Sequence, residues 1–91
     1  MSLVVVFYDG VADIMKCTQY FLYTKNRADR SYIKDEWIQK AIDNPIKTVK
    51  QDDGRIRKWV YVKEAEKYLR VILLSDGQTV HNAFFDRNFQ E

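Results

Sequence analysis

Arg55, Arg57, Trp59 and Tyr61 stand at every second position of one short stretch. A strand turns alternate residues to opposite faces, so these four are predicted to line one side of a sheet. Ile56, Lys58, Val60 and Val62, mostly apolar, would face the core. Guanidinium groups beside large π-surfaces have the chemistry to grip phosphates and stack bases. The same pattern also fits a solvated face of cross-strand cation–π pairs, each contributing a few tenths up to about 1 kcal/mol.

The turns that would position this stretch are legible. Asp53-Gly54 and Asp76-Gly77 are strong hairpin signals, each suited to a two-residue type I′ turn, and Lys63–Glu66 is a plausible four-residue loop. Together they predict an antiparallel meander over residues 46–52, 55–62, 67–74 and 78–85. The register then sets Trp59 opposite Arg70, Tyr61 opposite Tyr68, Val60 opposite Leu69, Leu73 opposite Val80, Ile72 opposite His81 and Leu69 opposite Phe84. One face collects Ile56, Val60, Leu69, Val71, Leu73, Val80 and Phe84 as a core. The other collects Arg55, Arg57, Trp59, Tyr61, Tyr68, Arg70 and His81. Lys58 and Asn82 do not fit the apolar face, and are expected at its margin or bonded to a helix end.

On this face Arg55, Trp59, Tyr61 and Tyr68 are candidates for RNA binding, and His81, Arg57, Arg70 and Arg87 for catalysis. Arginine can stabilise the charge that develops when a phosphodiester is cleaved. His81, the one histidine, has the ordinary pKa of a general acid or base, and neighbouring arginines would hold it neutral. A strand histidine is equally read as a structural hydrogen-bonder, Arg70 as a lid stacked on Trp59, and Asp86-Arg87 as a pair pinning the strand end. Arg27, Asp29 and Arg30 read as a solvated ion-pair cluster.

Upstream, Leu3–Phe7 has strand composition, Asp9-Gly10 signals a turn, and residues 1–15 read as an extension to a body over 16–89. Lys16–Tyr23 reads as a strand, and Thr24 as the N-cap of a helical turn over Lys25–Arg30. Lys34–Asn44 is predicted as a helix with Trp37, Ile38, Ala41 and Ile42 on one stripe, ended by Asn44-Pro45. The expected fold is a single α+β domain: one or two short N-terminal helices on one face of a four-stranded antiparallel sheet, five- or six-stranded if N-terminal strands join.

Ninety-one residues with 46% hydrophobic and 14% aromatic content suffice for one small core. A net charge of +2 permits an acidic partner without demanding one. The single cysteine, Cys17, excludes an internal disulfide, and with one histidine leaves no Cys/His metal cluster; neither metal nor cofactor is expected. Leu3–Tyr8 is too short to span a membrane and lacks the layout of a signal peptide, which makes the cytoplasm the expected location.

The segment 20–89 resembles a family of small prokaryotic proteins of unassigned function. The resemblance rests on TKNRADR (24–30), Glu36-Trp37-Ile38, Asn44-Pro45, DGRIRKW (53–59) and YLRVILLSDGQTVHNAFFDRNF (68–89). That family's plan is similar to the RelE/BrnT type of toxin domain. It implies helices on one face of a curved sheet with an open face opposite, and RNA cleavage by a diffuse set of Arg, Lys, Tyr and His side chains. It also implies a small antitoxin-like protein as partner.

Two functions of different class follow. One is an RNA-binding domain, or a metal-independent RNA-cleaving one, with RNA across Arg57, Trp59, Tyr61 and Arg70 and with His81 or Arg87 assisting attack by a 2′-hydroxyl. The other is a non-catalytic interaction or homodimerisation module that uses the same face, since Trp, Tyr and Arg are the usual anchors of interfaces. A small-molecule enzyme is disfavoured, because a thin sheet-and-helix domain encloses little of the roughly 300 Å³ such sites need.

Overall fold

A computed structural model describes the backbone of residues 5–9, 14–28, 30 and 32–91, with side chains from Met15 on wherever the backbone is described. Gly10, Asp29 and Leu3–Val4 lie outside the described residues, and so do the parts of the turn, cluster and first strand that depend on them. The elements are β1 (Val5–Asp9), β2 (Ile14–Thr18), α1 (Gln19–Lys25), α2 (Asp35–Asp43), β3 (Lys47–Lys50), β4 (Ile56–Val62), β5 (Lys67–Leu73) and β6 (Val80–Phe85). The architecture is α+β: one six-stranded sheet of order β1-β2-β6-β5-β4-β3, with both helices contributing to a core on one face.

The sheet is mixed, which corrects the antiparallel expectation. β3 through β6 form the antiparallel meander, but β2 runs parallel to β6 and meets it at one paired position, Cys17 with Val80. The meander's turns say nothing about what pairs outside it. β2 cannot extend further along β6, because the chain leaves the sheet at Thr18 to enter α1. The Thr18 hydroxyl accepts the Phe21 N–H at 3.1 Å and so caps that helix. The predicted strand over Lys16–Tyr23 is therefore half strand and half helix: Tyr and Phe composition suggested β, but the cap decides. Thr24 is inside α1, donating its hydroxyl to the Phe21 carbonyl at 3.1 Å, and is not the N-cap of a later helix. Met15 and Cys17 are buried in the core, so the boundary expected at residue 15 falls inside β2.

Helix α2 stands where its stripe predicted, with Ile38 and Ala41 buried and Asp35 and Glu36 in its first turn. Lys58, the cation on the apolar side of β4, donates its Nζ to the Ile42 carbonyl at 2.9 Å, completing the end of that helix.

Three turns hold the meander. Val62 pairs with Lys67, so Lys63–Glu66 is the expected four-residue loop. The Asp53-Gly54 turn is not type I′: Gln51 N–H donates to the Arg55 carbonyl, and of Asp53 and Gly54 only Gly54 has positive φ, at 92°. It is a longer loop with glycine at the left-handed position. Around Asp76-Gly77, Leu74 N–H bonds the Thr79 carbonyl at 2.9 Å, and only Gly77 has positive φ, at 72°. The carboxylate of Asp76 accepts from the Thr79 N–H and hydroxyl and from the Gln78 N–H, closing that turn through a side chain.

The β4–β5 register is the predicted one, with Trp59 opposite Arg70, Val60 opposite Leu69 and Tyr61 opposite Tyr68. The β5–β6 register starts as predicted at Leu73–Val80 and then slips by one. Ile72 pairs with Asn82, Arg70 with Phe84 and Leu69 with Phe85, with His81 as the extra residue of a bulge. The slip moves Phe85 and Ala83 to the core side and puts Phe84 and Asn82 on the open face.

Candidate nucleic-acid interface

The open face carries a ladder of cations and rings. Phe84 lies between two guanidinium groups, Arg30 at 5.3 Å and Arg70 at 5.0 Å from its centroid. Arg70 also stands 5.8 Å from the Trp59 ring, whose other neighbour is Phe89, stacked with centroids 5.0 Å apart and planes at 25°. Phe89 in turn meets Tyr68 at 4.8 Å and lies 5.9 Å from the Lys47 Nζ. Arg30 reaches this face by wrapping the edge of β6 that β2 leaves open; its Nη1 donates to Asn82 Oδ1 at 2.6 Å and to the Ala83 carbonyl at 3.4 Å.

Asp86 seals the ladder. Its Oδ2 accepts the Trp59 indole N–H at 3.0 Å and Arg70 Nη1 at 3.4 Å, while its N–H donates to the Tyr68 carbonyl at 2.9 Å. Burial alone would push this carboxyl up; the bonds from Trp59, the Asn88 N–H and Arg70, with the Arg70 charge, outweigh it and hold the carboxyl below its ordinary value. Covered in this way, Trp59 is only 6% exposed. With residues 86–89 in place it is a buried wall of the face, not the open stacking platform the sequence suggested. Tyr68 is half-buried against Phe89, while Tyr61 remains exposed, edge-on to Tyr68 at 5.1 Å.

The other half of the face is uncovered. Arg57, opposite Ile72, is half-buried; its Nε has no hydrogen-bond partner, and it forms no ion pair among the described residues. Arg55, with its side chain 40% exposed, lies 3.9 Å from Asp53 and sends its charge toward His81. The His81 ring stacks with Tyr20 at 5.0 Å, and its Nδ1 is 3.0 Å from the Thr18 hydroxyl. Burial, and then the charge of Arg55, pull its pKa below the ordinary 6.5. His81 is therefore neutral at pH 7 and tied to the α1 cap.

The four residues singled out for catalysis come from β4, β5, β6 and the segment after β6. His81 is the second residue of β6, and Arg87 lies two residues beyond its end. Arg70 is engaged by Asp86, and only Arg57 stands level with the bulge.

Sequence reasoning missed Phe84, Phe89, Arg30 and Lys47. The bulge hid Phe84, while Arg30 and Phe89 reach the face from irregular segments with no period to read. Asp86 was legible as a pin at the strand end, though not its partners.

Among the described residues no His, Cys, Asp or Glu group is placed to hold a metal ion, and no helix is long and apolar enough to cross a membrane. A cleft between α2 and β4, about 270 Å³, is lined by Glu36, Trp37, Lys40, Tyr61 and Glu64, and a shallower one, about 420 Å³, is lined by Val49, Gln51, Asp53 and Arg57. No family model, no curated protein and no solved structure matches the chain.

Proposed function

We propose that this chain is a small RNA-binding module of RelE/BrnT-like type that binds single-stranded RNA on the open sheet face without cutting it. The observation that carries the reading is Arg57. A guanidinium held half-buried on a strand, whose buried Nε has no hydrogen-bond partner among the described residues, has a donor left for an anionic acceptor. Arg55 supplies a second exposed cation beside it, and the Tyr20–His81 stack offers an exposed ring at the same end. Phosphate contacts through arginine with stacking on nearby rings are how sheet surfaces hold single strands. Binding is favoured over cleavage because Arg70 is engaged by Asp86 and His81 by the Thr18 hydroxyl at the α1 cap. The reading through a partner-docking face anchored on Trp59 has less support, since that indole is buried.

The test is a fluorescence-anisotropy titration with a short labelled oligouridine at two salt concentrations. Wild type is expected to bind more weakly as salt rises, and Arg55→Ala/Arg57→Ala to weaken binding and flatten the log–log salt slope by about 1.4, the share of two phosphates. No binding at low salt would remove the RNA reading. A small antitoxin-like protein, or a second copy, would then be the next partner to assay.

A further inference from the structure

Phe89 belongs to no strand, yet its ring fills a slot between Trp59 and Tyr68, both fixed on strands. Three residues earlier in the chain, the carboxylate of Asp86 sits on Arg70. A flat ring stacked on one aromatic face and tilted at 51° against a second, with an anion on the adjacent guanidinium, has the layout of a base and its phosphate. We infer that residues 86–89 occupy a nucleotide subsite of the open face, as an internal plug that a ribonucleotide unit of bound RNA displaces. The inference rests on the RNA reading above and extends that site across Trp59, Tyr68 and Arg70.

Two features mark the plug as displaceable. Its polar tether is concentrated in Asp86: the N–H bonds the Tyr68 carbonyl, the carboxylate takes the Trp59 indole and Arg70, and the Asn88 N–H to Asp86 Oδ1 at 3.0 Å closes only a local turn. The slot walls are strand residues paired through β4 and β5, so they keep their places when the plug leaves. The plug also fits Arg70 poorly. The carboxylate engages Nη1 alone, at 3.4 Å, and the buried Nε has no partner among the described residues, whereas a phosphate oxygen pair can take a guanidinium fork on two donors.

The experiment compares wild type, Phe89→Ala and Phe89→Leu in a Trp37→Phe background, so that fluorescence reports Trp59 alone. Labelled oligouridine is titrated into each, and a thermal melt accompanies each variant. Phe89→Ala is expected to bind about tenfold tighter than wild type, within the range of one base–aromatic stack, with Trp59 emission quenched as RNA enters. Phe89→Leu, which still covers the slot but cannot stack, falls between them. If the Phe89→Ala melt shows loss of fold, Phe89→Leu carries the comparison, and affinity no tighter than wild type overturns the plug. RNA bound equally by all three, with Trp59 emission unchanged, overturns the plug and leaves the RNA reading standing. No binding by any of them overturns both.

Discussion

Asp86 does the most at the residue scale. It ties the segment after β6 to an indole and a guanidinium while being nearly buried itself. Asp86→Ala leaves the Trp59 N–H and one Arg70 donor without their acceptor, and should cost about 1–3 kcal/mol of unfolding free energy by urea titration. The sign with pH follows from its depressed carboxyl. The contribution is present above the unfolded carboxylate value, about 3.9, and disappears as pH falls through the folded one. The gap between wild type and Asp86→Ala should therefore narrow in acid; a gap unchanged at pH 2 would refute the ion-pair role. Asp76 behaves in the same sense. Burial opposes its charge, but bonds from Thr79, Gln78 and Lys16 hold it at about 2. With the side chain 38% exposed its stabilisation is small.

His81 runs the other way. Its folded pKa lies below 6.5, so the folded state sheds the proton first. The neutral ring's contribution is complete above 6.5 and declines as pH falls from there toward the folded value. As the one histidine, it can be followed by NMR without overlap. Arg55→Ala should move its titration upward, toward the ordinary value; no movement would mean the Arg55 charge does not reach the ring.

At the scale of elements, the period-two pattern of β4 and β5 was fully legible, since each side chain's partner follows from one turn. β6 was legible only as far as Val80. A bulge has no composition signal of its own, and the extra residue turned a predicted Ile72–His81 pair into Ile72–Asn82. Helix α1 was hidden by aromatic side chains that suit strands in isolation. Lys58 looked misplaced on an apolar face until α2 supplied its acceptor. Lys58→Met keeps the aliphatic stem and removes the donor, and should lower stability by about 0.5–1.5 kcal/mol, read from the urea midpoint. Glu66 closes its loop at φ 54°, a conformation that costs side chains other than glycine. Glu66→Gly should therefore raise the melting temperature, or leave it level if chain entropy cancels the relief. A drop of several degrees would show that the carboxylate carries a contact of its own.

The whole molecule is a sheet whose two faces have different fates. One is sealed by α1 and α2 over Leu69, Val71, Leu73 and Val80; the other is half covered by the segment after β6 and half open around Arg57. Cys17 reports on how β2 joins the rest. Its thiol is fully buried and burial raises its pKa, partly offset by Lys25 and reinforced by Asp35. Native protein should be nearly inert to a thiol reagent, with reactivity appearing only in the urea unfolding transition; fast labelling in buffer would mean that β2 opens independently of the meander.

The measurement that tests the central claim most directly is a side-chain NMR titration of the arginine Nε–Hε signals with oligouridine at low salt. Arg57, whose Nε has no partner among the described residues, should shift first and furthest, with the His81 ring moving beside it. The Trp37 indole, bonded to Glu64 on the helix side, should stay in place. An Arg57 signal that stays fixed at saturating RNA, or shifts confined to the helix side, would contradict the account.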